Sequence, residues 1–166
     1  MKIDKDILNF FEKQDSVIVS TIDATGNIHC AAKGIVSAKE DDKIFLIDLY
    51  LRETFKNLKK NPIISVTAID EHLFKGYTLQ GEAEIISRDK MHTEIFEDWE
   101  KRVVERISKR IAKSVGVGLK SRVHHEAHLP LHPQYLIKVA VKNVVDLKPP
   151  QRSEDGVSYA SKKNKL

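Results

Sequence analysis

Six short segments rich in β-branched and aromatic residues constrain the fold of this 166-residue chain more than any other feature. Such segments are typical of β-strands, because branched and aromatic side chains pack well on a pleated surface. Turn residues and charged connections separate most of them. The strands are predicted at residues 17–22, 28–36, 44–47, 63–69, 77–87 and 135–147.

Apolar residues recur at helical spacing in three other segments, which are predicted to be helices. Two are short, at 4–13 and 51–61, and the second ends at Asn61-Pro62 because the residue before a proline disfavours the α conformation. The third, at 91–115, is long and amphipathic, with Trp99 on its apolar face. Six strands with few helices predict a mainly β, α+β protein built on a six-stranded antiparallel barrel with flanking helices.

Length and composition limit the class of protein. The chain has the size of one domain, predicted at 1–150, and residues 151–166 are expected to form a flexible tail. The single cysteine excludes an internal disulfide, and no apolar run approaches the roughly 20 residues of a membrane span. The N-terminus does not resemble an export signal, so we expect a cytoplasmic protein without a membrane partner. The strands lack the exposed aromatic residues that stack bases, which argues against specific nucleic-acid binding.

The segment 44–61 runs from a buried strand directly into a helix. The start of a helix has unpaired backbone N–H groups and a partial positive charge, so it attracts anions. Arg52 adds a guanidinium that can bind phosphate through two hydrogen bonds, and Thr54 adds a hydroxyl. These residues predict a phosphate site; the alternative is an exposed, charged helix without a ligand.

Small residues are concentrated in the second strand, around Lys33. Ala31, Ala32 and Gly34 would let a flat ligand approach the strand backbone closely. Lys33 is then available to pair with a phosphate or with the polar edge of a ring. The alternative is an edge-strand lysine that discourages aggregation.

The order of these pieces resembles the pyridoxamine 5'-phosphate oxidase-like family of FMN-binding split β-barrels. That family has a glycine-centred hairpin, a strand leading into a short basic helix that ends in Asn-Pro, and a strand with the pattern Gly-x-Ala-x-Ile. This chain has Gly26 in its first turn, Asn61-Pro62 after the helix, and Gly81-Glu82-Ala83-Glu84-Ile85. The resemblance extends over residues 10–88 and implies a homodimeric, six-stranded split barrel with FMN between the subunits.

The resemblance also implies which residues contact FMN, in four groups along the chain. The isoalloxazine ring or the ribityl chain would lie beside Ala32, Lys33 and Gly34. The ring edge would be lined by the backbone of Asp48 and Leu49. The phosphate-binding turn matches Arg52, Glu53 and Thr54. The dimethylbenzene side, or the partner's ring, would lie beside Gly76 and Tyr77.

The resemblance implies an FMN-dependent oxidoreductase that acts on a small-molecule redox substrate, with no catalytic residue assigned. The alternatives are a non-catalytic flavin or haem carrier or sensor on the same fold, and the coenzyme F420 in place of FMN. Pyridoxamine phosphate oxidases proper have Arg-Lys where Glu53-Thr54 stand, and an Arg-x-His near the C-terminus that 146–151 lacks. Vitamin B6 oxidation is therefore not expected.

Histidines are concentrated at 124–132, within a helical and histidine-rich insertion predicted at 91–134. His124 and His128 would share one face of a helix, and imidazole is a ligand of zinc, copper, nickel and haem iron. Their spacing does not match the His-Glu-x-x-His pattern of zinc proteases. The alternative is an exposed polar loop near the pocket, which leaves the protein without a metal site.

Overall fold

The computed structural model describes residues 2–39, 43–91, 93–116 and 133–148. Its elements lie within a few residues of the predicted ones. In chain order they are α1 (Lys5–Glu12), β1 (Val17–Ile22), β2 (Ile28–Lys39), β3 (Lys43–Asp48), α2 (Glu53–Lys60), β4 (Ile63–Asp70), β5 (Lys75–Ser87), a 3₁₀ turn (Arg88–Lys90), α3 (Thr93–Gly116) and β6 (Tyr135–Asp146). His124, His128 and the tail predicted at 151–166 lie outside the described residues.

The six strands form a closed antiparallel barrel in the order β1-β2-β3-β6-β5-β4, which confirms the predicted fold. Closure leaves the barrel without a free sheet edge. Two long strands, β2 and β5, each pair with both neighbours along much of their length. Because β6 returns beside β3 and β5, the last strand of the chain brings its first residue, Tyr135, next to Asp48 at the end of β3.

Alternate residues of the strands fill the barrel. Val17 and Val19 of β1, for example, are buried, while Ile18 between them is 47% exposed. Burying an aliphatic side chain contributes roughly 1.5–3 kcal/mol, so this interior supplies much of the stabilising free energy. The amphipathic helix α1 adds three apolar side chains to the same core: Leu8, Phe10 and Phe11.

The hairpin turn between β1 and β2 is held by Asp23. Its carboxylate accepts hydrogen bonds from the backbone N–H of Thr25 and of Asn27 and from the Thr25 hydroxyl. These bonds lower the pKa of Asp23 to about 2, so the acceptor is ionised at neutral pH. Gly26 has φ of +89°, a conformation that side chains with a Cβ rarely adopt. The turn chemistry predicted from the sequence is therefore present.

Helix α3 covers one outer side of the barrel. A second apolar cluster forms there around the buried Ile47 and Leu136, and Phe45, Ile86 and Trp99 pack against it. Trp99 is thus a packing residue on the inner face of the long helix, in agreement with its place on the predicted apolar face. Among the described residues, no helix combines the length and apolar character that a membrane span requires.

Another outer side, formed by β1, the first half of β2, β4 and the first half of β5, presents an uncharged surface. On β4 the outward residues are isoleucine or hydroxyl-bearing, and Ile63 and Ile69 are more than half exposed. The outward side chains on neighbouring strands are similarly small or apolar: Ile18, Ser20, Ile28, Cys30, Ala32 and Thr78. Farther round the barrel, on β5 and β6, charge returns, with ion pairs between Lys138 and Glu84 and between Lys142 and Glu82.

Gly81 makes the sharp closure of the barrel feasible. The ladder between β5 and β6 shifts register beside it, and a Cβ at residue 81 would lie 2.1 Å from the carbonyl oxygen of Ala140. That oxygen belongs to the backbone, so relieving the clash requires the two strands to separate. This clash explains why the first position of the Gly-x-Ala-x-Ile pattern requires a glycine in this chain.

We expect Gly81→Ala to lower the free energy of unfolding by at least about 2 kcal/mol, because the added methyl overpacks a backbone contact. Ser65→Ala, on the adjacent strand β4, is the matched control and should change it by less than about 0.5 kcal/mol. Urea unfolding of both variants measures the difference. Equal stabilities of the two variants would contradict the close approach.

Candidate functional site

The candidate site begins at the turn between β3 and α2. Arg52 is the N-cap of α2 and makes no side-chain capping bond. Within the described residues, the backbone N–H groups of Glu53, Thr54 and Phe55 have no acceptor; the first bond of the helix runs from Lys56 N–H to the Arg52 carbonyl. Three unpaired donors at the positive end of a helix dipole form a site that favours an anion.

Polar side chains surround these donors. Thr54 is buried, whereas Arg52 is exposed, with its guanidinium carbon 5.0 Å from the centre of the Tyr50 ring. Stacking on an aromatic ring is a typical guanidinium contact, and it leaves the in-plane N–H donors free to bind a ligand. The region is therefore cationic and rich in hydrogen-bond donors.

Glu53 introduces a negative charge at the same helix start. Its carboxylate is exposed and accepts a hydrogen bond of 2.7 Å from Lys56, which lowers the pKa of Glu53. The carboxylate is therefore ionised at neutral pH and turned toward Lys56. This ion pair offsets part of the repulsion that a bound phosphate would meet.

A buried polar network lies beside the turn and is centred on Asp48, which is 2% exposed. Its Oδ2 atom accepts hydrogen bonds from Lys33 Nζ and from the Tyr135 hydroxyl, the latter at 2.5 Å. Its Oδ1 atom accepts from the Tyr50 N–H at 3.1 Å, and its backbone carbonyl accepts from the Gln134 N–H. One residue thus connects β2, β3, the turn before α2 and the start of β6.

Burial, followed by the hydrogen bond and the charge of Asp48, raises the pKa of Tyr135. Tyr135 therefore remains protonated and serves as a hydrogen-bond donor. Its ring packs against Phe55 of α2, with ring centres 4.9 Å apart. The network consequently fixes both β3, which precedes α2, and the Tyr135 side chain, against which α2 packs.

The structure brings several of the predicted site residues together. Lys33, Gly34 and Asp48 are neighbours across the β2–β3 pair, and Arg52, Glu53 and Thr54 follow at the start of α2. The Lys33 ammonium, expected to face a ligand, instead pairs with Asp48, and its side chain is 12% exposed.

The remaining predicted residues lie around this centre or apart from it along the strands. Ala32 is exposed on the uncharged outer side, paired with Ile18, and Leu49 packs beside Ile47 and Leu136. Gly76 and Tyr77 are buried on β5, where the Tyr77 ring packs edge-on against Phe10 of α1.

Two contributors were missed by the sequence analysis. In the sequence, Tyr135 is recognisable only as the first residue of an apolar strand. Its hydrogen bond to Asp48 depends on the pairing of β3 with β6. Asn57 is buried on α2 and donates to the Thr21 hydroxyl of β1 at 3.1 Å, which ties the helix to the barrel. A polar Asn on the apolar side of a short helix was the available indication.

Within the described residues, no group of histidine, cysteine or acidic side chains has the arrangement of a metal site. Hydrogen-bond donors and the start of a helix dominate the candidate site instead. The pieces match a family model described as pyridoxamine 5'-phosphate oxidase, over residues 3–143.

The chain belongs to the pyridoxamine 5'-phosphate oxidase family.

Solved structures support the same fold at low sequence identity. HupZ of group A Streptococcus is 15% identical, with a TM-score of 0.59, over 91% of this chain and 98% of that chain. A Lactobacillus delbrueckii protein described as a pyridoxamine 5'-phosphate oxidase by family is 16% identical, with a TM-score of 0.57, over 87% of this chain and 93% of that chain. The conserved protein Rv2991 of Mycobacterium tuberculosis is 14% identical, with a TM-score of 0.57, over 94% of each chain. No curated protein matches the sequence.

We expect Asp48→Ala to lower the free energy of unfolding by about 3–5 kcal/mol, because it leaves the Lys33 ammonium and the Tyr135 hydroxyl without their buried partner. Tyr135→Phe removes one donor and should cost about 1–2 kcal/mol. Glu84→Ala breaks the more exposed pair with Lys138 and should cost less than about 1 kcal/mol. Denaturant unfolding measures the free energy of unfolding of the three variants. If Asp48→Ala lowers it no more than Glu84→Ala does, the central role of Asp48 is contradicted.

Proposed function

We propose that this protein binds FMN with the phosphate at the start of α2 and that it is an FMN-dependent oxidoreductase. The observation that carries the proposal is the set of unpaired N–H groups at Glu53, Thr54 and Phe55, flanked by Arg52. Membership of the family supports the choice of FMN, because the family resemblance implies that cofactor in this position.

The phosphate would be held by donors of three kinds. The helix N–H groups and the dipole of α2 favour a dianion at short range. Arg52 supplies a planar fork of donors, and the Thr54 hydroxyl has no hydrogen-bond partner within the described residues. Glu53 disfavours the dianion, and its pairing with Lys56 reduces that effect.

The flavin ring and ribityl chain would extend from this phosphate along β2 and the end of β3. Ala32 has only a methyl group and Gly34 has no side chain, so a flat ring can approach the strand backbone closely. Leu49 adds an apolar contact at the edge of the ring. These residue types fit an aromatic ring with a polar chain. Gly76 and Tyr77 remain proposed contacts of the ring, on the subunit or its partner.

When bound, FMN supplies the hydride or electron transfer, and the protein supplies binding and orientation. Asp48 orients the turn before α2 by accepting a hydrogen bond from the Tyr50 N–H, and the ion pair with Lys33 holds the Asp48 side chain in place. Lys33 stands between Ala32 and Gly34 in β2, and because its ammonium is paired with Asp48, the proposed contact of Lys33 with the ring is through its backbone. We propose a small-molecule redox substrate and a cytoplasmic location.

A homodimer is part of the proposal, because the uncharged outer side of β1, β2, β4 and β5 resembles a subunit interface more than a solvated surface. Ala32 lies on that side, so the proposed ring site borders the proposed interface.

The central experiment is a titration of the purified protein with FMN, followed by flavin absorbance and fluorescence. We expect saturable binding that Arg52→Ala weakens by about 10–100-fold, the equivalent of one charge-assisted hydrogen bond. Thr54→Val, which preserves shape, should weaken it by about 3–10-fold. Lys60→Ala, at the other end of α2, is the charge-matched control and should change affinity by less than about threefold.

Equal effects of Arg52→Ala and Lys60→Ala would contradict the phosphate assignment. A Soret band in the purified protein would favour the haem alternative, and preferential uptake of F420 would favour that coenzyme. Reduction of bound FMN by a nicotinamide or another donor, with turnover, separates an oxidoreductase from a non-catalytic carrier.

A further inference from the structure

His29, the second residue of β2, lies next to helix α2. Its pairing partner across the β1–β2 ladder is Thr21. The Thr21 hydroxyl accepts a hydrogen bond of 3.1 Å from Asn57, in the second turn of α2. Helix α2 packs against both β1 and β2. His29 therefore lies on the part of β2 that the helix crosses.

The alternation of β2 determines the side that His29 faces. Three residues of the strand are exposed on the outer side of the barrel: Ile28, Cys30 and Ala32. His29 and Lys33 are partly buried, so they face the other side of the strand, where the Lys33 ammonium contacts Asp48 at the end of β3. Because β3 is antiparallel to β2, the chain leaves Asp48 in the direction of His29, and α2 begins on that path. The His29 imidazole consequently faces the first turn of α2.

The charged groups near this imidazole come from α2 and from the β1–β2 turn. On α2, the Glu53 carboxylate accepts a hydrogen bond from Lys56; that bond, and to a smaller extent the charge of His29, lowers the pKa of Glu53. In the turn, hydrogen bonds led by that of the Thr25 hydroxyl lower the pKa of Asp23 to about 2. Both carboxylates are therefore ionised at neutral pH, and both are already held by other donors.

Two polar side chains at this place lack a hydrogen-bond partner among the residues that the structure describes: the His29 imidazole and the Thr54 hydroxyl. Thr54 is only 2% exposed. No fully buried side-chain nitrogen or oxygen atom in the described ranges is without a partner, so the Thr54 hydroxyl opens to the surface at the start of α2. The unpaired N–H groups of the helix start lie beside it. A ligand with several acceptor oxygens would satisfy all of these donors.

We propose that His29 is a further phosphate-binding residue of the α2 site, and that its protonated form donates a hydrogen bond to the phosphate alongside Arg52. The inference rests on the proposed FMN site and adds a pH dependence to it. The carboxylates of Asp23 and Glu53 lie near the phosphate position, and Lys56 is engaged with Glu53. An imidazolium adds a cation to Arg52 against these two negative charges, and both of its ring nitrogens are donors.

The charge of a histidine side chain changes between about pH 5 and 8. Asp23 and Glu53 stay ionised over the neutral range, because hydrogen bonds lower the pKa of each. The Arg52 guanidinium stays protonated, as arginine does in proteins. The charge of His29 should therefore dominate the pH dependence that the protein contributes to phosphate binding. That contribution should be largest in weakly acidic solution and decline as the pH rises.

The test compares FMN with riboflavin, which lacks the phosphate, on the wild-type protein and on His29→Gln. Fluorescence titrations are run at about pH 5.5 and about pH 8.5, where a histidine is ordinarily charged and neutral. Comparing the two proteins at the same pH cancels the titration of the FMN phosphate itself. At the lower pH, His29→Gln should weaken FMN binding by about 10-fold, the equivalent of one charge-assisted hydrogen bond. At the higher pH the loss should be less than about threefold, and riboflavin affinity should change by less than about twofold at either pH.

A variant that keeps the charge separates the role of charge from that of packing. His29→Lys is positive at both pH values, so at the higher pH it should bind FMN about 3–10-fold more tightly than the wild type does. His72→Gln replaces an exposed histidine in the β4–β5 turn and is the matched control, which should leave both affinities within about twofold. Thermal unfolding checks that each variant is folded.

A loss of FMN affinity in His29→Gln that is equal at both pH values, or that riboflavin shares, would overturn the proposal. The pH-dependent difference should persist in a Glu53→Gln background, and its disappearance there would mean that His29 acts only on Glu53, which would also overturn it. In either case, a loss in Arg52→Ala that is confined to FMN would leave the phosphate site at α2 standing. Absence of FMN binding to the wild type at both pH values would overturn that site as well.

Discussion

The hydrogen bonds of Asp48 are the interaction on which the candidate site depends. A carboxylate that is 2% exposed requires partners, since burying an unpaired charge costs several kcal/mol. Lys33, Tyr50 and Tyr135 supply them, and each comes from a different element or turn. The requirement to satisfy one buried charge thus fixes β2, β3 and β6 together and determines where α2 starts. The position of the unpaired N–H groups at the start of α2 is a consequence of that packing.

Much of the fold could be predicted from the chain itself, because its strands are separated by clear turn and charge signals. Neighbouring residues alone determine several of its elements. The β-branched runs favour strands, Gly26 favours the first turn, and Asn61-Pro62 ends α2. The strand pairs that close the barrel, β3–β6 and β1–β4, join segments far apart in sequence, so no local sequence signal predicts them. A closed barrel was expected from the number of strands and from the family resemblance, but the identity of the closing pairs was not, and the close approach at Gly81 is visible only in three dimensions.

The site was predictable where its chemistry is local and less so where it is not. Arg52 and Thr54 stand at a helix start that the sequence marks, and the structure has unpaired donors there. Lys33 was expected to face a ligand, but a position on β2 opposite the end of β3 brings it to Asp48. Tyr135 could not be found from the sequence, because it is separated from Asp48 by 87 residues and contacts it only through the pairing of β6 with β3.

The contribution of the phosphate to flavin affinity tests the central claim most directly. Riboflavin has the same ring and ribityl chain as FMN but lacks the phosphate, so the two ligands differ only in the group assigned to α2. We expect calorimetry to show FMN binding at least about 100-fold more tightly than riboflavin, or about 3 kcal/mol for a dianion at the helix start and Arg52. Equal affinities for the two flavins would contradict the assignment, as would the absence of FMN binding.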